Sequence, residues 1–339
     1  VSYPATTVRP VTEHQELHRT SIDRVEQLVV TELDGRPHVV IAGAWQTSVW
    51  LWDPSGPGDR PDELPLRGAA SYTIAQLATA QLDGRPVVVT GGDRHDASET
   101  DTGDMGGNVR VWDLASGTML GQPLTGHWAG IWSLATAVVD GRPVAVSGGE
   151  DGQVIAWDLA RGEQLWAEGM HSDGICGLTT ARVDGRPTAV SGGHDSTIHQ
   201  WDLADGWKPG EIATDADAAI RAVAVTRLDG RDVVVSTGDD SEISLWDLAS
   251  REAVGDPLSG HEDRIFAMAV GVLGGRPVAV TGSEDTTARV WDLASGEQLG
   301  APLRHGSTVQ SVAITEIDGR TVAVTSEQAG HVRVWALGD

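Results

Sequence analysis

The chain has 339 residues, 40% of them hydrophobic and 22% charged, a balance that suits a globular protein of one large domain or two average ones. Its 49 acidic residues against 24 basic ones leave a formal net charge of −25. Such a field repels phosphate backbones and anionic lipid surfaces, which excludes generic nucleic-acid and membrane binding. A single cysteine, Cys176, excludes an intramolecular disulfide, and the longest clearly apolar run, nine residues from Ile265, is too short to span a bilayer. Tryptophan, at 13 residues, is abundant beside two Tyr and one Phe, so it has a repeated job. The cations are nearly all arginine, Lys208 being the one lysine, as in proteins of GC-rich bacterial genomes.

The first residues, VSYPATTVRP, have neither a basic segment nor an apolar core and do not form a secretory signal. With no initiator Met, the chain reads as a piece of a longer protein, and a cytoplasmic location is expected. From there onward it repeats. Trp52, Trp112, Trp157, Trp201, Trp246, Trp291 and Trp335 each close a short apolar run, at successive spacings of 60, 45, 44, 45, 45 and 44. Asp follows six of the seven. A second ladder runs in phase: DGRP at Asp34, Asp83, Asp140 and Asp184, DGRD at Asp229, GGRP at Gly274 and DGRT at Asp318. In chain order the units have cores at about 22–68, 71–125, 130–169, 174–214, 218–259, 264–304 and 308–336.

Each unit predicts four strands. In the third, GIWSLATAVV alternates small and apolar residues, and Asp140-Gly141 is a two-residue hairpin signal. PVAVSGG, QVIAW, a DLARG turn and the weaker EQLWAEG follow. Strands so rich in β-branched residues and alanine are buried on both faces. A single unit cannot supply that burial, and stacking seven around an axis does.

With these residues on view, the chain resembles the WD40-repeat family along essentially its whole length. Gly126-His127 and Gly260-His261, about thirty residues before a Trp-Asp, fit the family pattern, with variants at His171 and His305. DGRP is shorter than the family's usual turn between the first two strands. The resemblance implies an all-β fold: a seven-bladed propeller of four-stranded antiparallel blades. It is similar to the C-terminal WD-repeat arrays of large actinobacterial signalling proteins. The seventh unit stops after its third strand, so an N-terminal strand at 5–13, within TTVRPVTE, is expected to complete blade seven and close the ring. The wide first spacing marks two insertions, DPSGPGDRPDELPLRG and GGDRHDASETDTGDMGG. The second is acidic across 93–107 but lacks the register of a calcium loop, so it reads as a solvated loop with no metal.

Ser, His and Asp also suggest a hydrolytic triad. His127, Ser147, Asp151 and Trp157 recur as His171, Ser191, Asp195 and Trp201, and as His261, Thr281, Asp285 and Trp291. Unit five keeps Ser236, Asp240 and Trp246 without the histidine, and unit seven has Ala329 in place of the Asp. A nucleophile is not replicated and then lost by degrees. The resemblance supplies a structural tetrad instead, in which buried indole, hydroxyl, imidazole and carboxylate satisfy one another. The arginines of the hairpin ladder, Arg36 through Arg320, read as solvated turn residues.

Function then lies in what differs between repeats. The positions that line the family's top face carry over to Glu26, Ala75, Trp132, Cys176, Arg221, Phe266 and Gln310, and to Trp45, Glu150, His194, Asp239, Glu284 and Gln328. Arg24, Arg264 and Thr308 take a third set of positions. Aromatic anchors rimmed by acids suit a protein or peptide with a basic or apolar segment. The expected function is a non-catalytic interaction platform without a cofactor, monomeric as an isolated domain. The alternatives are packing of Trp132 and Phe266 inside the channel, and an autonomous propeller that binds a sugar or other small ligand.

Overall fold

The computed structural model describes residues 14–43, 47–56, 58, 60–67, 73–92, 106–207, 210–214 and 218–338. Its strands form seven four-stranded antiparallel sheets in a ring, and the described residues include no helix. In each of blades one to six, sequence order is also spatial order, from the strand on the central channel outward. Blade three, for instance, runs Ile131–Val139, Arg142–Gly149, Gln153–Asp158 and Glu163–Gly169.

The hairpin ladder fixes the register of the first two strands. Asp140 (φ 50°) and Gly141 (φ 77°) are both left-handed, and the same pair of signs recurs at every rung from Asp34-Gly35 to Asp318-Gly319. That is the type I′ turn, whose twist matches the flanking strands. The ladder arginines are not simply solvated. Arg36, Arg142, Arg186, Arg231 and Arg276 each lie 3.7–3.8 Å from the aspartate of their own blade's Trp-Asp pair. That aspartate also caps the next turn, as Asp158 accepts the Ala160 and Arg161 N–H groups at 3.0 Å. The two sequence ladders therefore meet in space.

There are seven hydrophobic cores, one at each interface between neighbouring blades. Trp157 packs with Val87, Val109 and Val111 of blade two, and Trp201 with Val144 and Val146 of blade three. Each indole thus cements its blade to the preceding one. Close approach also depends on glycine: a Cβ at Gly148 would lie 2.7 Å from the Ile175 side chain, and one at Gly192 would lie 2.5 Å from that of Ile220.

Blade seven is closed by a strand from the other end of the chain, Gln15–Ser21, antiparallel to His331–Ala336. The expected segment, 5–13, lies outside the described residues, and the pairing strand falls just beyond it. The reason is local. His14 Nε2–H donates to the Leu299 carbonyl of blade six at 2.8 Å, and Glu16 meets Arg333 at 3.1 Å, so residues 14–16 carry the anchoring groups. Removal of residues 1–21 strips His331–Ala336 of its outer partner, and the exposed edge should lower the thermal midpoint by many degrees and promote aggregation, read by circular dichroism melting and light scattering.

Candidate functional site

The histidines and hydroxyls form relays inside the blades. In blade three, Trp157 Nε1–H donates to Ser147 Oγ (2.9 Å), the Ser147 hydroxyl donates to His127 Nε2 (2.8 Å), and His127 Nδ1–H donates to Asp151 (3.0 Å). Blades four and six repeat this with Trp201, Ser191, His171 and Asp195, and with Trp291, Thr281, His261 and Asp285. Ser147, Ser191 and Thr281 are wholly buried, so no substrate reaches them. Burial raises the carboxyls of Asp151, Asp195 and Asp285, but the histidine hydrogen bond and its companions outweigh it and hold all three below the ordinary carboxylate range. Replacing Ser147 by Ala orphans both the Trp157 and His127 nitrogens and should cost about 2–4 kcal/mol of stability, measured by denaturant unfolding.

Blade seven rebuilds the relay from different residues. His305 Nε2 still accepts from Thr325, and Trp335 donates to Thr325, but Ala329 offers no carboxylate. Glu327, two residues earlier, takes over only the backbone contacts and accepts the Gly306 and Ser307 N–H groups at 2.7 and 2.9 Å. Its place is held by glycine in blades three and four, where a Cβ at Gly149 would come within 2.4 Å of Asp151 and 2.6 Å of His127. Blade six carries the small Ser283 there and keeps Asp285, whose N–H donates to the Ser283 hydroxyl at 3.0 Å. Glu327 is also bound by Arg333 (2.8 Å), which reaches Glu16 on the closing strand. His305 Nδ1–H donates to the Leu303 carbonyl, and burial together with the Arg333 charge pushes its pKa down from 6.5 to about 4. Between those values the unfolded chain binds a proton that the folded chain refuses. Stability from this group is therefore complete above about pH 6.5 and falls as the pH drops toward 4. Wild type should lose roughly 2 kcal/mol more than His305→Gln between pH 7 and pH 5, read from unfolding curves at each pH.

The top-face residues are placed by a repeated backbone irregularity. In six blades the innermost strand carries a one-residue β-bulge near its start, and the bulged residues are Glu26, Trp132, Cys176, Arg221, Phe266 and Gln310. A bulge re-aims a side chain that strict alternation would send elsewhere. All six, with Ala75 of blade two, line a central channel of about 870 Å3. That channel runs on past Leu28, Leu134, Met268 and Val312, so Trp132 and Phe266 do not fill it.

Opposite the bulge in blades four and five stands the residue that follows the second strand. Cys176 Sγ lies 3.2 Å from His194 Nε2, and the Trp132 ring centroid lies 5.3 Å from that of His194. Burial pushes the Cys176 thiol up to about 11 against the pull of Arg221, so it stays protonated and is no nucleophile at neutral pH. Arg221 holds Asp239 in a two-pronged ion pair at 2.7 and 3.1 Å and lies 5.6 Å above the Phe266 ring, with Arg264 at 3.9 Å from the same carboxylate. The acidic rim read from the sequence is therefore neutralised around Asp239, because two guanidiniums converge there. Glu150 and Glu284 are exposed beside the mouth, their backbone N–H groups tied to the Gly130 and Arg264 carbonyls, and they do not line the channel. Glu26 faces the channel, where desolvation raises its carboxyl and Arg24 opposes the rise. Trp45 and most of the acidic stretch 93–107 lie outside the described residues.

Among the described residues one group could hold a metal ion: His171, Asp195 and His199 of blade four. Thr197 Oγ1 already occupies its centre, bonded to Asp195 at 2.8 Å, His199 at 3.0 Å and His171 at 3.2 Å, so a cation would have to displace that hydroxyl. His199 escaped the sequence reading because it sits two residues before Trp201, where other units carry unrelated side chains.

No helix among the described residues is long and apolar enough to cross a membrane. Two stretches, residues 118–158 and 254–292, match the family model described as WD domain, G-beta repeat. Among solved structures, the WD40 beta propeller domain of Doa1 is similar, with a TM-score of 0.71 and 17% identity over 96% of this chain and 97% of that one. At that identity the likeness is one of fold. No curated protein sequence matches the chain. Two stretches of the chain thus match WD40 repeats, and the described residues fold as a seven-bladed propeller like that of a WD40 domain.

Proposed function

We propose that the protein is a non-catalytic platform that binds a protein or peptide at the top of its central channel, as one cytoplasmic module of a larger bacterial signalling protein. The observation that supports this reading is the bulge shared by six blades. One backbone device, used six times, presents six different side chains to a single opening: Glu26, Trp132, Cys176, Arg221, Phe266 and Gln310. Repetition of the frame with variation of the side chain is what an adaptable binding face needs.

The mouth has two characters. On blades three and four, Trp132, Cys176 and His194 make a half-buried apolar patch. On blades five and six, Arg221 and Phe266 stack while Asp239 is already paired. A partner with an apolar or aromatic anchor for the first patch fits best, and its basic groups have Glu150 and Glu284 as exposed counterparts at the rim. A second reading, a sugar or other small ligand held within the mouth, draws on the channel volume of about 870 Å3 beside Trp132.

Trp132→Ala and Phe266→Ala should each weaken capture of a selected peptide by at least about tenfold, measured by calorimetry with the propeller, while the melting temperature stays within a few degrees. Unchanged affinity in both variants would remove the mouth as the binding site. Loss of binding to sugars with unchanged peptide binding would favour the second reading.

A further inference from the structure

Blade five has the relay without its imidazole. The sequence contains no histidine between His199 and His261, yet blade five keeps Ser236, Asp240 and Trp246 in register. Trp246 Nε1–H donates to Ser236 Oγ at 2.9 Å, and Asp240 accepts the Glu242 N–H at 3.2 Å, the same turn bond that Asp151 makes with Gln153. Ser236 is 4% exposed, and no imidazole accepts from its hydroxyl. Asp240 likewise meets no histidine. Burial, with the charges of Glu242 and Asp239 behind it, raises the Asp240 carboxyl, where its counterparts in blades three, four and six are lowered.

A cavity of about 340 Å3 opens at this place, lined by Ile220, Ser236, Asp240, Glu242, Ser244 and Trp246 among others. Two differences from the other blades coincide with it. One is the missing ring. The other is Ser244, two residues before the blade tryptophan, where blades three, four, six and seven carry Ile155, His199, Arg289 and Arg333. The walls offer several hydroxyls, two carboxylates and the flank of an indole.

The other blades show what such a frame holds. A ring bridges hydroxyl and carboxylate with its nitrogens 2.8 Å from the hydroxyl oxygen and 2.7–3.0 Å from the carboxylate. It tilts against the indole, at 6.2 Å between centroids for His261 and Trp291. We propose that the blade-five cavity binds a small imidazole-type heterocycle, one ring nitrogen accepting from the Ser236 hydroxyl and the other donating to Asp240. The protein's own repeats are the template for the site, which is independent of the channel mouth.

The test uses the full chain and imidazole itself, followed by saturation-transfer NMR and calorimetry near neutral pH. A single saturable site is expected, with millimolar affinity or better given the small size of the ring. Asp240→Asn and Ser236→Ala should each weaken it by several-fold to about tenfold, as loss of one hydrogen bond to the ring does. Because Ser236→Ala leaves the Trp246 N–H unpaired and can lower stability, Ser244→Leu serves as the second kind of variant. It keeps both polar groups, fills the cavity and should abolish binding while the protein remains folded. Pyrrole, which lacks the accepting nitrogen, should bind at least several-fold more weakly. Competition by N-acetylhistidine methylamide would assign the ring to a partner's side chain, and failure to compete would assign it to a free heterocycle. Absence of saturable imidazole binding, or binding unchanged in all three variants, overturns the proposal.

Discussion

Each blade is a four-stranded sheet with two apolar faces, and neither face can be left in water. That constraint organises the molecule. A ring satisfies it because every face finds a neighbour, which is why the interior divides into seven cores between blades instead of one at the centre. It also explains the tryptophans. An indole from one blade reaches into the core shared with the preceding one, and its N–H is then a buried donor that needs an acceptor. The relay of hydroxyl, imidazole and carboxylate follows from that need. Blade one shows the constraint relaxed: Ile41 pairs at the relay position, and Trp52 Nε1 has no partner among the described residues.

The relays are interchangeable in their parts but not in their space. The carboxylate comes from Asp151, Asp195 and Asp285 in blades three, four and six, and in blade seven Glu327 receives the backbone N–H groups instead. Blade five goes further and drops the ring altogether, keeping the hydroxyl and the acid. These differences arise between repeats that share one backbone, so they isolate the effect of single side chains. They also show why Ser, His and Asp in this order are struts: their oxygens and nitrogens are spent on each other, away from any surface.

At the channel mouth the same economy of backbone produces variety. Strict strand alternation would place the second residue of each inner strand on a face already filled. The bulge turns that residue toward the channel, and the hairpin partner after the second strand stands across from it, as His194 does from Cys176 and Asp239 from Arg221. Pairing across the hairpin, and between blades through Arg264 and Phe266, decides which charges remain available to a partner.

The period of the tryptophans, the Asp-Gly turns and the alternation of the strands determined the sheet count, the hairpin register and the ring, because these depend on local geometry repeated seven times. The relay residues were legible for the same reason, since comparison between units separates what recurs from what does not. The resemblance to WD40 repeats suggested Trp132, Cys176, Arg221 and Phe266 for the mouth. It could not show that a bulge turns them there, or that Asp239 is neutralised by two arginines, because both depend on backbone offsets and on contacts between blades. The span of the closing strand, the pairing of Arg142 and its counterparts with the Trp-Asp aspartates, and the cavity of blade five were likewise decided in three dimensions. Each joins residues whose separation along the chain carries no local signal, and only packing sets the distance between them.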